Sequence, residues 1–385
     1  MAWLDACRVF AALGVVLIHS TADRTGLPYA AADTTARIGP MVLRAVAELS
    51  GSELFFLLSL FLLAFGLDQK GRSYGETVRL QAKRLLVPFA TWTLFYAAFR
   101  LIKADYAGYA PTLIEQLGQW QTWANYLLLG TGQYHLHFLP TLFALILLYP
   151  VMEVGRRFPL AGLAIFPLIY ALDNGQGYVW GHVSDPVVRD YLLRIVKIAC
   201  YTGYGFAAFS LQGLFKRRLA DADWAQLRRM LLMFVVIALM AKLAYTNELV
   251  SAGKWGVRPT VANYAHFLMP LLVFSSFLTT QKFAWSPRAH QLARYTFGVY
   301  LMHPIFIDLY DVAMGLAGVQ LAPTLDVLAK WLVAVPASFA LAYAVSTSRS
   351  LAWTIGLGPL PFSSINFAEL IPVRRRLALA TRAAR

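Results

Sequence analysis

Long apolar stretches separated by short polar segments run from the first residues of this chain to about residue 346. A helix rises 1.5 Å per residue, so about 20 apolar residues cross a hydrocarbon core of about 30 Å. On that criterion ten spans are expected, over residues 3–20, 46–67, 85–103, 138–155, 159–173, 191–214, 230–246, 261–280, 296–313 and 327–346. The fifth is short and is interrupted by Pro167. Residues 121–130 are apolar but too short to cross, which fits an interfacial or re-entrant piece. The predicted fold is all-α: a polytopic membrane protein, a bundle of about ten transmembrane helices. The first span starts almost at Met1 with no small-residue cleavage site behind it, so it is expected to be retained and not removed as a signal peptide.

Composition agrees with the pattern. Of 385 residues 58% are hydrophobic and 14% charged, with a mean hydropathy of +0.55, whereas soluble domains carry about 25% charged residues. A soluble domain has no room between the spans. The expected organisation is a transmembrane domain over residues 1–346 and a basic tail over 347–385. The net charge of +14 raises nucleic acid as a partner, but the positive residues cluster in short loops, which is a topology signal. With the N-terminus inside, the clusters Lys70–Arg84, Arg156–Arg157, Lys216–Arg229 and Lys282–Arg294 and the Arg-rich tail all fall on the inner side. Both termini are therefore expected to be cytoplasmic, with the tail on the anionic inner surface. Nucleic acid is excluded and membrane lipid is the expected surroundings. Cys7 and Cys200 sit in or beside apolar segments and form no framework or metal spacing.

This topology gives depths to the polar residues. Arg8 and His19 bracket the first apolar helix, roughly 16 Å apart along its axis. A cation and an imidazole in one span are costly in lipid and point to a protein interior or a wet cavity. The competing reading makes Arg8 an anchor, paired with Asp5 at (i, i+3), and His19 a helix-end residue. Arg8 and Arg84 fall at the inner face. His19, Glu53, His135 and His137 fall toward the outer face, and His303 near the middle of the ninth span, with Asp308 and Asp311 outward of it. Arg194, Lys197 and Lys242 also fall within spans. A basic inner mouth suits an anion such as a nucleotide phosphate. His135 and His137 would point in different directions on a helix, and no carboxylate or cysteine at ligand spacing accompanies them, so no metal is expected. Most of the many aromatics suit interface belts. Trp120, Trp123 and Tyr134 near His135 are candidates to stack on sugar rings.

Several motifs resemble, in order, those of the acyltransferase-3 family of bacterial integral membrane acyltransferases. Asp5-Ala6-Cys7-Arg8, then ten residues and His19, resembles the family's D-x-x-R and R-x(10)-H motifs. Glu53-Leu54-Phe55-Phe56-Leu57-Leu58-Ser59 is similar to its second-span motif, and Lys83-Arg84-Leu85-Leu86-Val87-Pro88-Phe89 with Trp92 to its basic entry to the third span. Tyr134-His135-Leu136-His137-Phe138-Leu139 resembles its entry to the fourth, and Phe297-Gly298-Val299-Tyr300-Leu301-Met302-His303-Pro304 its late motif. The chain departs from the family at Glu53 (usually Pro), Leu60 (Gly) and His137 (Trp), and has no R-x-x-R pair before the third span.

The resemblance implies a membrane-bound O-acyltransferase of the bacterial cytoplasmic membrane, in the form without a fused hydrolase-like domain. Such an enzyme moves an acyl group, usually acetyl from acetyl-CoA as co-substrate, to a hydroxyl of an envelope or exported glycan or lipid-linked sugar. On this chain it implies His19 as catalytic base, with Arg8, Lys83 and Arg84 at the donor. Glu53 is the best carboxylate to set the His19 tautomer, unless it pairs with Arg44 instead. Ser59, His135, His137, Tyr300 and His303 are the acceptor or cavity candidates. Two other readings account for buried polar residues: a transporter or flippase without transferase chemistry, and a structural subunit of a polysaccharide-export machine.

Overall fold

The computed structural model describes residues 1–217, 221–255 and 260–360. Residues 361–385, which hold the tail arginines from Arg374 onward, and Arg218 lie outside the described residues. Among the described residues the chain is helical with no strand: α1 (Ala2–Ser20), α2 (Thr34–Ala47), α3 (Ser52–Lys70), α4 (Tyr74–Tyr106), α5 (Ala110–Leu117), α6 (Trp120–Leu128), α7 (Phe138–Leu147), α8 (Tyr149–Arg157), α9 (Ile165–His182), α10 (Pro186–Phe215), α11 (Asp221–Ala252), α12 (Thr260–Leu278), α13 (Pro287–Ala293), α14 (Thr296–Leu316) and α15 (Pro323–Thr347).

Each of the ten expected segments falls on helix, but fewer cross a membrane on their own. Six helical stretches among the described residues are long and apolar enough to span: α1, α2 running on into α3, α4, α10, α14 and α15. The expected span 138–155 is a pair, α7 and α8, bent by 67°, and makes a seventh only if the pair is taken as one span. Pro150 sits in the first turn of α8, where the missing N–H of proline is tolerated. The expected span 159–173 opens as a 3-10 turn, Pro159–Ala164, and α9 then carries the run Asp173-Asn174-Gly175-Gln176-Gly177 in its interior before ending at His182. The expected span 230–246 lies inside a longer α11 that carries Arg228, Arg229 and Lys242, and the apolar part of α12 reaches only from Ala262 to Leu278.

Helix α1 is the hub of the bundle, packing on α2, α3, α12, α13, α14 and α15. Trp3, Cys7, Ala11, Ala12, Val15 and Val16 are buried along it. Ala11 and Ala12 keep one face narrow, and small residues are what let helices approach closely inside a membrane. Gly14 extends this logic. A Cβ there would lie 1.5 Å from Ser50 Oγ, so only glycine lets α1 meet the turn Glu48–Ser50 between α2 and α3. That contact brings two carboxylates, Glu48 and Glu53, to the His19 end of α1.

At the same end a charged network is buried between helices. Lys330 of α15, whose side chain is fully buried, meets Asp311 of α14 and Asp326 at 3.0 Å each and the Ala22 carbonyl at 2.9 Å. Lys103 of α4 meets Asp308 at 2.9 Å and Asp311 at 3.1 Å. Tyr29 and Tyr310 donate to the Asp326 carboxylate at 2.6 and 3.2 Å. Burial, reinforced by the Asp326 carboxylate, raises the Tyr29 phenol above its ordinary value. The network ties the α1–α2 loop to α4, α14 and α15. At the opposite end the chain does not leave the bundle after α15. The turn Ala352–Ile355 packs on α4, α14 and α15, and Trp92 Nε1 donates to the Thr354 carbonyl at 2.9 Å.

Candidate active site

Three adjoining cavities are ordered by the residues they share. The first, about 180 Å³, lies at the Arg8 end of α1. Arg8, Arg84 and Arg294 line it, with Gln81, Ser59 and Thr296 as further polar groups and no carboxylate among the described residues. Arg8 is steered by Asp5, 3.7 Å away at (i, i+3) as the sequence predicts, and Asp5 also meets His290 Nδ1 at 2.9 Å. Lys83, expected beside Arg84 at the donor end, is exposed and stands outside this lining. Arg294 is legible in the sequence only as a loop cation; it reaches the cavity because α13 ends there, one turn before α14 begins.

Phe55, Phe138 and Tyr300 belong to both this cavity and the second, so they form the wall between them. Their rings contact one another at centroid distances of 5.6–6.1 Å. The Tyr300 hydroxyl donates to the His135 carbonyl.

The second cavity, about 440 Å³, collects His19, Glu53, His135 and His137. The structure thus brings together four residues from three sequence segments. Both His135 and His137 line it, contrary to the divergence expected on a helix, because they sit in the irregular turn before α7. His137 Nδ1 lies 2.9 Å from the Tyr134 carbonyl. Arg194 holds the same turn from α10, donating to the His137 and Leu129 carbonyls at 3.1 and 2.8 Å. Gly130 makes the turn possible: its φ is +73°, and a Cβ there would lie 2.4 Å from His137 Cα. Gly130→Ala is therefore expected to cost more than about 1 kcal/mol, from the left-handed φ and the overlap together, and to move both histidines. A lowered unfolding temperature with impaired turnover is the expected readout.

Glu53 does not pair with His19 or with Arg44. It is buried in the first turn of α3, where Tyr201 of α10 donates to it at 2.9 Å and Ser52 at 3.2 Å. Arg44 instead donates to Glu48 at 2.7 Å. Lys242 meets the other Glu48 oxygen at 2.6 Å, with His266 at 3.4 Å. Three groups of this cluster, Glu48, Tyr201 and His266, are residues the sequence reading missed. His266 carried a signal, an imidazole inside an expected span, while Glu48 stood four residues after Arg44 in another.

His19, half-buried at the end of α1, makes ring contacts with Tyr134 and His303 at 4.5 and 5.2 Å. No hydrogen bond to its ring forms among the described residues. His303 is fully buried. Proline has no N–H, so Pro304 leaves the Tyr300 carbonyl without its helical partner. The His303 ring takes up that role, Nδ1 lying 2.8 Å from the Tyr300 carbonyl and 3.2 Å from that of Val299. Carbonyls only accept, so Nδ1 carries the proton and Nε2 is a bare acceptor. His135 packs on His303 at 5.2 Å. Neither of its ring nitrogens meets a partner at hydrogen-bond geometry among the described residues. Burial, with His303 and His19 beside it, holds the His135 imidazole well below the ordinary histidine value. It is therefore neutral and keeps one N–H to donate.

The third cavity, about 660 Å³, shares Ile18, His19, Arg44 and Trp255 with the second. Its other walls include Arg24, Arg100, Lys103, Tyr109, Tyr134 and Asp308. Of the aromatics proposed for sugar stacking, Tyr134 lines it; Trp120 is 73% exposed, and Trp123 donates to the Leu117 carbonyl.

Residues 1–347, nearly the whole chain, match the family model described as an acyltransferase domain, Acyl_transf_3. No curated protein matches, and no solved structure matches.

Proposed function

Since the chain belongs to the acyltransferase-3 family and is a multi-pass membrane acyltransferase, we propose that it moves an acetyl group from cytoplasmic acetyl-CoA to a sugar hydroxyl of an envelope or exported glycan. The observation that carries this reading is the pairing of two unlike cavities across one aromatic wall. One is lined by three arginines and, among the described residues, no carboxylate; the other holds His19, Glu53, His135 and His137. Fixed guanidinium groups suit the phosphates of a CoA donor. An imidazole suits removal of a hydroxyl proton near neutral pH.

In this reading the Arg8 end faces the cytoplasm of a bacterial inner membrane, in line with the positive-inside bias. Arg8, Arg84 and Arg294 hold the donor phosphates, and Lys83 adds charge at the mouth. The pantetheine arm passes Phe55, Phe138 and Tyr300, with Ser59 along its path, and presents the thioester to the second cavity. His19 takes the proton as the acceptor oxygen attacks the thioester carbonyl. The neutral His135 N–H donates to the tetrahedral oxyanion, a role for fixed dipoles in water-poor sites. Collapse breaks the carbon–sulfur bond, and the CoA thiolate leaves and recovers the proton. Glu53, held by Tyr201, acts on the electrostatics of the cavity and not on the His19 tautomer directly. His303, locked by the backbone, supports the His19 ring.

The test follows CoA release and transfer of radiolabel from acetyl-CoA to envelope glycan by purified protein. Wild-type protein is expected to release CoA with matching label in glycan; flux of glycan without CoA release would favour a transporter. Arg84→Ala and Arg294→Ala are each expected to raise the KM for acetyl-CoA about tenfold, the loss of roughly one charge-assisted hydrogen bond. With acetyl-pantetheine, which lacks the nucleotide phosphates, the same substitutions should change KM little. Equal effects on both donors would place the arginines outside donor binding.

A further inference from the structure

The third cavity has His19 in its wall, as the second does, and shares no lining residue with the arginine-lined cavity at the Arg8 end. The loop Asp23–Gly26 between α1 and α2, with Ala107 and Tyr109 after α4, forms part of its rim. Four cations and three carboxylates line it: Arg24, Arg44, Arg100 and Lys103 against Asp23, Asp308 and Asp311.

The partners of these seven charges are unevenly distributed. Lys103 is spent on Asp308 and Asp311, and Asp311 also meets Lys330. The second Asp308 oxygen accepts from Gln133 at 3.0 Å. Asp23 is turned into its own loop, accepting from the backbone N–H groups of Thr25 and Leu27. Arg44 is committed to Glu48. Two cations remain. Arg24 donates to the Val319 carbonyl at 2.7 Å. Arg100 donates to the Tyr126 hydroxyl and the Gly132 carbonyl at 3.2 and 3.3 Å. Among the described residues neither meets a carboxylate.

A guanidinium does not shed its proton at any working pH, and its fork of N–H groups matches a carboxylate or a phosphate. In a half-buried cavity such a charge is screened less than at an open surface. Tyr109 and Tyr134 give the same cavity faces on which a sugar ring can pack. We infer that this cavity is the acceptor site and that it takes a sugar bearing an anionic group, a carboxylate or a phosphate ester. Arg24 and Arg100 hold that group while a hydroxyl of the sugar is turned toward His19. The inference rests on the acyltransferase reading and adds to it the chemical class of the acceptor.

The test separates an envelope glycan pool by anion exchange before the reaction and offers each fraction with radiolabelled acetyl-CoA. The retained, anionic fraction is expected to take label at least about tenfold better than the flow-through at equal sugar content. Arg24→Gln and Arg100→Gln should each raise the KM for the anionic fraction several-fold, and together bring the two fractions level. Arg100→Lys, which keeps the charge, should retain most of the preference. The unfolding temperature of each variant separates a lost contact from a lost fold. Carboxyl reduction of the active fraction abolishes the preference if the group is a carboxylate; phosphate-ester cleavage abolishes it if the group is a phosphate. Label entering the neutral fraction equally well, or a preference untouched in the folded double variant, overturns the inference and leaves the acyltransferase reading standing. No label from wild-type protein in either fraction overturns that reading, and the inference with it.

Discussion

His19→Ala is expected to lower acetyl transfer roughly 10²–10⁴-fold, the range a positioned general base contributes, with little change in unfolding temperature. The second half of that expectation follows from geometry. His19 is half-buried at the last turn of α1, and its ring touches only Tyr134 and His303 by ring contact, with no hydrogen bond to it among the described residues. Little of the fold depends on it. His303→Ala makes a useful contrast. It removes a buried ring that caps the carbonyls freed near Pro304, so it should lower stability and activity together. Single-turnover CoA release in detergent, with thermal unfolding on the same samples, reads both quantities. A His19→Ala protein that transfers acetyl within about twofold of wild type would remove the base from His19 and with it the proposed route.

Lys330→Ala is expected to destabilise the protein by about 3–5 kcal/mol, the cost of stranding a buried charge. Lys330 has a fully buried side chain and is shared between Asp311 and Asp326. Among the described residues, its removal leaves Asp326 with tyrosine hydroxyls alone and Asp311 with Lys103 alone. Both carboxylates are buried, so a charge stranded there is poorly compensated by solvent. The double variant Lys330→Met/Asp326→Asn removes charge from both sides of one pair, so it should be less damaging than Lys330→Met alone. Unfolding temperature and the yield of monodisperse protein measure the effect. Single and double variants that unfold alike, and near wild type, would mean that the network contributes no net stability.

Much of the site was legible because intramembrane polar residues are few and costly. Arg8, Arg84, His19, Glu53, His135 and His137 stood out against apolar surroundings, and each lines one of the first two cavities. The Asp5–Arg8 pair was legible because both members lie on one helical turn. Partners distant in sequence were not. Glu53 reaches Tyr201, 148 residues away, and Lys330 meets the Ala22 carbonyl, 308 residues away; no periodicity encodes either. Lys83 looked equivalent to Arg84, yet on the α4 surface Arg84 lines the first cavity and its neighbour does not.

Local chemistry in the sequence therefore determined that this is an apolar, all-helical chain of the acyltransferase-3 kind. It also determined that Arg8 and His19 sit near opposite ends of one helix, because helix rise and hydropathy are properties of consecutive residues. Tertiary structure alone decided the rest. Several expected spans became bent, broken or short helices. Glu53 went to Tyr201 and not to His19. His135 and His137 faced one cavity through the Gly130 turn, and Arg24 and Arg100 met no carboxylate among the described residues. These outcomes depend on which helices pack around α1, and thus on close approaches such as that of Gly14 to Ser50. A contact between residues far apart in the chain exists only once the packing that closes it has been chosen.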